Sequence, residues 1–399
     1  NSFQMINIDP YPQEIMEKAK GIHSSISLPP SLDSVFFIAR MLRAVNDEME
    51  VRRLIDEILL HRSLLRYSHE NEETIYDRLF PHVYHRFSVS KLEGSPLSGN
   101  LHVFVQRMKD VHLRDILSTT AASQILHAYM ALQEIFGRTI VATERKTGSP
   151  SAIVTILDLE GLNLTEFLNP LSPNCKIAKM IVSLWAEYFS ETLVRILIIN
   201  SPGIISIMWQ ITRHIVDSRT ANRLLFLSSV HQLKEYLDPS AIPVAYGGTW
   251  RDDSGFSHQP IYCTTVPKPV LPEDIADHDL VWRKHGIEKV PKPSQHSLKA
   301  KKQVDIRVCV PHSGHLVYSF TTSCSSPSSG EVIFSILSIE NGKEVIVSPP
   351  FKIISITVPE QGSLPVIKGE YIIRFSNPSS SWFNSKVAIS HQFVSPSEV

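Results

Sequence analysis

At 399 residues the chain exceeds one ordinary core, and a scale of roughly 100 to 200 residues per domain predicts two or three domains. Apolar residues make up 43% and charged residues 20%, a mixture that excludes a disordered chain. The formal charge of -1 excludes a whole-molecule field that would draw the protein onto DNA, RNA or an anionic membrane, so any such contact is a local patch and no nucleic-acid partner is expected.

The opening NSFQMINIDPYPQ has no basic stretch followed by an apolar one, and it lacks an initiating Met. Residues 1–80 read as a helical segment. Within it Ser34 to Tyr67 predicts a pair of packed helices, with Phe37, Met41 and Leu42 and then Leu54, Ile58, Leu59 and Leu65 at near-helical spacing. Residues 81–250 then alternate: strand 101–106, helix 118–137, strand 152–159, helix 176–189, strand 195–200, helix 204–217 and strand 223–229. Near-continuous aliphatic strands separated by helices predict an α/β fold, with a mostly parallel sheet covered on at least one face. The most apolar stretch, RILIINSPGIISIMWQI, is broken by Asn200, Ser201, Pro202 and Gly203, and falls short of the roughly 20 residues a spanning helix needs.

Residues 251–303 read as a linker, because Pro260, Pro267, Pro269, Pro272, Pro291 and Pro293 forbid long helices and central strands. Its later part carries Lys289, Lys292, Lys299, Lys301 and Lys302 against Glu288 alone, a pattern that suits either a solvated tether or a docking patch for acidic headgroups. Over residues 304–395 the hydrophobic period becomes two, as in Val304, Ile306, Val308 and Val310 or Tyr371, Ile373 and Phe375, with turn residues such as Asn341-Gly342 between the runs. This predicts an all-β sandwich.

Catalytic signals are missing. GxGxxG, GxxxxGK[ST] and GxSxG do not occur, so no cofactor and no enzymatic activity are expected. His82 and His85 share a helix face without a HExxH-type glutamate and read as surface histidines, not metal ligands. Asp158 and Glu160, two apart at a strand end, read as holding the turn rather than as an acid/base pair. Cys175, Cys263, Cys309 and Cys324 form no zinc spacing; they read as reduced thiols of a cytoplasmic protein, although four would suffice for two disulfides. The final Ser397-Glu398-Val399 has the pattern of a strand-adding PDZ ligand.

The runs DLEGLNL at 158 to 164, IINSP at 198 to 202 and IPVAYGGTW at 242 to 250 resemble the fingerprints of the CRAL-TRIO lipid-transfer domain, and FIARMLRA at 37 to 44 resembles the helical segment before it. VPEQGSL at 358 to 364, GEYIIRFSNPSSSW at 369 to 382 and Lys386 resemble a GOLD domain, with Ser376 where an acidic residue is usual. The order of the two resembles that in the family of supernatant protein factor and the tocopherol-associated proteins. The resemblance implies a carrier or sensor that encloses one hydrophobic molecule, a phosphatidylinositol, another phospholipid, a tocopherol or a terpenoid, beneath a mobile helix. It also implies transient contact with membrane surfaces, location in the cytoplasm or on Golgi and other internal membranes, and a protein partner for the GOLD part. A different reading is an adaptor acting through the GOLD domain with a vestigial pocket, motivated by Ser190 and Ser228 where the family usually has proline and glycine.

The residues themselves give the pocket a physical form. Ile204, Ile207 or Met208, Ile211 and Ile215 make an i, i+3/i+4, i+7 stripe, which is core packing in isolation and a gate facing lipid under the resemblance. Ile153, Ile156, Ile196, Ile198 and Leu225 are the expected wall, and Lys299, Lys301 and Lys302 the expected membrane contacts. Glu191 and Arg223 match positions that hold the inositol phosphate in phosphatidylinositol-binding members. An ordinary ion pair is the other reading of the same two charges.

Overall fold

The computed structural model describes every residue except 1–4, 68–69, 80, 190, 204, 217, 325–329, 379–383 and 397–399. Ile204 and the Ser397 to Val399 tail therefore lie outside the described residues. The chain opens with α1 (Gln13–Ser25), α2 (Val35–Val45), α3 (Glu48–Leu65), α4 (Glu72–Leu79) and α5 (Pro81–Tyr84). The boundaries of α2 and α3 follow from local chemistry. The Ser34 hydroxyl accepts from the Phe36 N–H to start α2, and Asn46, at φ 55°, ends it in the left-handed region. Asp47 then caps α3 by accepting from the Glu50 N–H. The predicted helix pair is thus one sharp corner between Val45 and Glu48.

Next come β1 (Ser88–Val89), β2 (Leu97–Ser98), β3 (Leu101–Arg107), α6 (Leu113–Thr119), α7 (Ala122–Thr147), β4 (Ala152–Asp158), α8 (Pro173–Tyr188), β5 (Leu193–Ile199), α9 (Ile205–Ile215), α10 (Ser218–Ala221), β6 (Leu224–Phe226) and α11 (Leu233–Tyr236). The sheet runs β1-β3-β4-β5-β6, with β2 also on β3. Its β3 to β6 pairings are parallel, as expected for strands separated by helices. Alternation then divides the strands between two layers. Phe104, Ile153 and Ile198 join the core formed with the long helices. Val103, Val105, Val154, Ile156, Leu197 and Ile199 face the other way, against Leu233, Leu237, Ile242 and Tyr246.

The Pro-rich stretch contains α12 (Leu280–Lys284), whose Trp282 is fully buried, and β7 (Ser294–Leu298), which pairs with the last strand. The expected tether from 251 to 303 is therefore partly built into the sandwich. Its sequence hid this because β7 lies at a sheet edge, where polar residues and a preceding proline are tolerated. The remainder is β8 (Gln303–Val310), β9 (Gly314–Cys324), β10 (Val332–Glu340), β11 (Lys343–Ile353), β12 (Glu360–Val366), β13 (Gly369–Ser376) and β14 (Ser385–Val394). Two antiparallel sheets, β11-β10-β13-β8 and β12-β9-β14-β7, enclose Phe320, Phe334 and Phe375. Asn341 and Gly342, both at positive φ, close the β10–β11 hairpin.

The sandwich rests on the helical side of the first unit. Phe351 of β11 stacks on His127 of α7 at 4.4 Å and meets His61 of α3 edge-on at 5.2 Å. Glu360 of β12 accepts hydrogen bonds from the N–H and hydroxyl of Ser123, and Lys352 Nζ lies 3.9 Å from a Glu187 carboxylate oxygen.

Candidate functional site

A cavity of about 280 Å³ lies between the sheet and the helices. Its floor consists of side chains of one parity per strand: Gln106, Leu157, Ile196, Ile198, Leu224 and Phe226. The register explains this, since Leu157 pairs with Ile198 and Ile198 with Phe226, so one row crosses three strands on one face. Helices α6, α7 and α8 supply aliphatic walls, and α9 closes the cavity with Met208, Ile211 and Ile215. Polar groups at the lining are internally engaged. The Thr212 hydroxyl donates to the Met208 carbonyl at 2.7 Å, and Tyr129 is bonded to Gln106. Among the described residues no His, Cys, Ser, Lys, Arg, Asp or Glu lines this chamber.

The expected wall residues separate on inspection. Ile196, Ile198, Met208, Ile211 and Ile215 line the cavity. Ile207 is partly buried against the same core, and Ile153 is buried in that core beyond the cavity. Ile156 and Leu225 are corrections: both belong to the opposite face of the sheet. Residues 153 and 156 differ by an odd number, so one straight strand cannot point both the same way. Leu157 and Leu224 are the neighbours with the right parity.

Leu225 instead borders a second, polar cavity of about 620 Å³, together with Tyr11, Arg43, Glu191, Arg195 and Arg223. Glu191 and Arg223 form a close ion pair there. Arg223 also donates to the Leu193 carbonyl at 3.1 Å, which fixes the guanidinium at the start of β5. Arg43 stands 3.8 Å from Glu191 and 3.8 Å from the Tyr11 ring centroid, and donates to the Asp9 carbonyl at 2.7 Å. Glu191 has φ 70°, a left-handed conformation that costs about 1 kcal/mol or more for a residue with a Cβ. Arg195 has no ion pair among the described residues and adds a third guanidinium. Arg43 and Tyr11 escaped the sequence reading because they lie some 150 residues or more from Glu191. Leu224 borders both cavities, which lie on opposite faces of the sheet at the short edge strand β6.

Lys299, Lys301 and Lys302 are exposed in the turn from β7 to β8, far from either cavity in the chain and tied to the sandwich by bonds between Lys301, Lys302 and Asn377. Among the described residues no group of three or more His, Cys, Asp or Glu could hold a metal ion, and no helix is long and apolar enough to cross a membrane. Cys175 and Cys263 are buried free thiols, and burial pushes Cys263 up to about 12.

The loop of IPVAYGGTW has a packing reason for its glycines. Gly247 sits at φ 84°, and a Cβ on Gly248 would come within 2.0 Å of the Ile242 carbonyl oxygen. Tyr246 from the same loop donates to Asp158 at the end of β4, and so locks the loop to the DLEG turn.

The comparisons with known proteins follow this architecture. The CRAL/TRIO domain model matches residues 101–248. A CRAL-TRIO domain-containing protein of Caenorhabditis elegans is 25% identical over 72% of this chain and 70% of its own length. The phosphatidylinositol/phosphatidylcholine transfer protein SFH4 of Arabidopsis thaliana is 23% identical over 59% of this chain, and a CRAL-TRIO domain-containing protein of Saccharomyces cerevisiae is 26% identical over 43%. The matches span only 38% and 53% of those two relatives. A crystal structure of Sfh5 aligns with 71% of this chain and 100% of its own at 13% identity and a TM-score of 0.44. Residues 101–248 of this chain are a CRAL/TRIO domain, set between an N-terminal helical segment and a C-terminal all-β region.

Proposed function

We propose that the protein is a non-enzymatic lipid carrier or sensor, whose apolar chamber takes the hydrocarbon of one lipid and whose polar cavity takes its headgroup. The observation that carries this reading is the chamber itself, lined almost wholly by apolar side chains and covered by a helix with one apolar face. Hydrocarbon leaving a bilayer exposes roughly 0.8 kcal/mol per CH₂ unless such a surface receives it. A volume of about 280 Å³ is near the lower end of small-molecule cavities, about 300 to 1,000 Å³. One isoprenoid or acyl chain matches it; a two-chain lipid requires α9 to move outward. The name of the Arabidopsis relative, a phosphatidylinositol/phosphatidylcholine transfer protein, points toward a phospholipid.

The polar cavity at the sheet edge, whose lining shares Leu224 with the chamber, supports a headgroup held by Arg223, with Glu191 accepting from hydroxyls and orienting the guanidinium. The C-terminal sandwich is, on this reading, a GOLD-type domain offering a surface to a protein partner. Transfer of labelled phosphatidylinositol and of tocopherol between vesicles tests the assignment. Arg223→Ala is expected to lower phosphatidylinositol transfer by roughly tenfold or more, the loss of a charge-assisted contact, while tocopherol transfer persists. Equal behaviour of wild type and variant toward both lipids removes the headgroup role. Absence of any co-purified or transferred lipid removes the carrier reading.

A further inference from the structure

The contact between the helices and the sandwich contains two histidines in surroundings that suit only their neutral form. His61 is 1% exposed, and neither ring nitrogen makes a well-formed hydrogen bond. Its ring is packed edge-on against Phe351 and Tyr188, and lies 6.0 Å from that of His127. His127 is half-buried, with Nε2 enclosed and unpartnered, and lies flat on Phe351. A proton on either ring would therefore place a cation in an enclosed seam, 6.0 Å from a second imidazole, with no well-formed acceptor at His61 Nδ1, His61 Nε2 or His127 Nε2.

The charged groups around the pair are already committed. On α3, Glu57 accepts from Arg53 and from the Tyr188 hydroxyl. On α8, Glu187 faces Lys352 of β11. On β12, Glu360 accepts from Ser123. From β11 the Pro350 carbonyl faces His61 and offers it only partial compensation. Among the described residues no carboxylate pairs with either ring to receive an imidazolium.

We propose that this seam is an acid-released contact: protonation of His61 and His127 separates β11 of the sandwich from α3 and α7, while each unit keeps its fold. Burial holds His61 down to about 4, and burial with the neighbouring ring holds His127 down to about 3. Opening returns both toward the ordinary value near 6.5, so the open form gains as pH falls below about 6.5 and continues to gain until the closed-state values are reached. From pH 7.5 to 5 each ring shifts the balance toward opening by roughly thirtyfold. Glu360 opposes them. Burial raises its carboxyl to about 7, so the closed form takes up that proton more readily, and acidification through this group alone tightens the seam. Two rings against Glu360 leave a net opening on the order of tenfold, which Glu187, its carboxyl also raised by burial, reduces.

The full-length protein is compared at pH 7.5 and pH 5 by hydrogen exchange of peptides spanning 57–66 and 343–353, corrected for the intrinsic exchange rate, with far-UV circular dichroism to monitor the fold. Exchange is expected to rise by up to about tenfold at pH 5 with the dichroism unchanged. In His61→Phe/His127→Phe the rise should vanish or reverse, because only the buried carboxyls Glu360 and Glu187, which favour the closed form on acidification, still titrate. Equal protection of the wild type at the two pH values overturns the proposal, as does an undiminished rise in the double variant. Imidazole proton resonances of the wild type give an independent reading: a ring that titrates near 6.5 without any change in seam protection also overturns it.

Discussion

Asp158 collects donors from three parts of the CRAL/TRIO domain. Its carboxylate, fully buried, accepts from the Tyr246 hydroxyl at 2.6 Å, from Asn200 at 2.9 Å and from the Glu160 N–H at 3.0 Å, and it stands 3.6 Å from Arg107. Burial and this negative charge hold the Tyr246 proton firmly in place. Asp158→Ala should therefore destabilise by about 3 to 5 kcal/mol, since it leaves the buried Arg107 without its charge partner. Tyr246→Phe should cost only about 1.5 to 3 kcal/mol, one hydrogen bond to a charged group. Urea unfolding midpoints check the ordering, and a milder Asp158→Ala would contradict it. A spacing of two would put Asp158 and Glu160 on one face of a continuing strand, but the strand ends at Asp158 and alternation ends with it; Glu160 turns outward to Lys109. Parity likewise identified two of the six floor residues, Ile196 and Ile198, and misassigned Ile156 and Leu225, because no single strand reveals which face will be covered by helices.

At the scale of elements, α9 is anchored through a narrow apolar stripe, while its Trp209 is 62% exposed. Ile211 borders a cavity on one side and so makes fewer contacts than a residue in solid core. Ile211→Ala is expected to cost about 2 kcal/mol, the low end for such truncations, and Ile38→Ala, wholly buried on α2, about 4 kcal/mol. Comparable shifts in denaturation midpoint would show that the gate is as firmly packed as the core. Most elements of this domain were legible from their periodicity, yet α7 runs ten residues beyond its expected end at Gly137. Gly137 is no terminator. A Cβ there would stand 3.2 Å from Leu32 Cδ2, so this glycine admits a neighbouring loop, and the true stop is Gly148 at φ 67°.

At the scale of the whole molecule, a net charge of -1 leaves membrane attraction to local patches. Lys299, Lys301 and Lys302 share one exposed turn, and near an anionic surface each contributes about 1 kcal/mol that salt screens. Replacing all three with Gln should weaken binding to acidic vesicles by roughly a hundredfold at low salt and little at high salt; binding that ignores both changes excludes this docking role. The two-part plan could be read from the change of hydrophobic period near residue 304, but the seam could not. His61, His127, Phe351 and Glu360 belong to four separate elements, and nothing local in the chain marks them as neighbours. That separation has a consequence during synthesis. Phe351 leaves the ribosome more than two hundred residues after His127, a delay of roughly 10 to 45 s at about 5 to 20 residues per second. Throughout that interval the helical surface awaits its cover. An imidazole is suited to the wait, since it remains hydrated and partly charged while exposed and turns apolar only when Phe351 arrives, so the nascent chain never displays the sticky face that phenylalanine or leucine would create at the same positions.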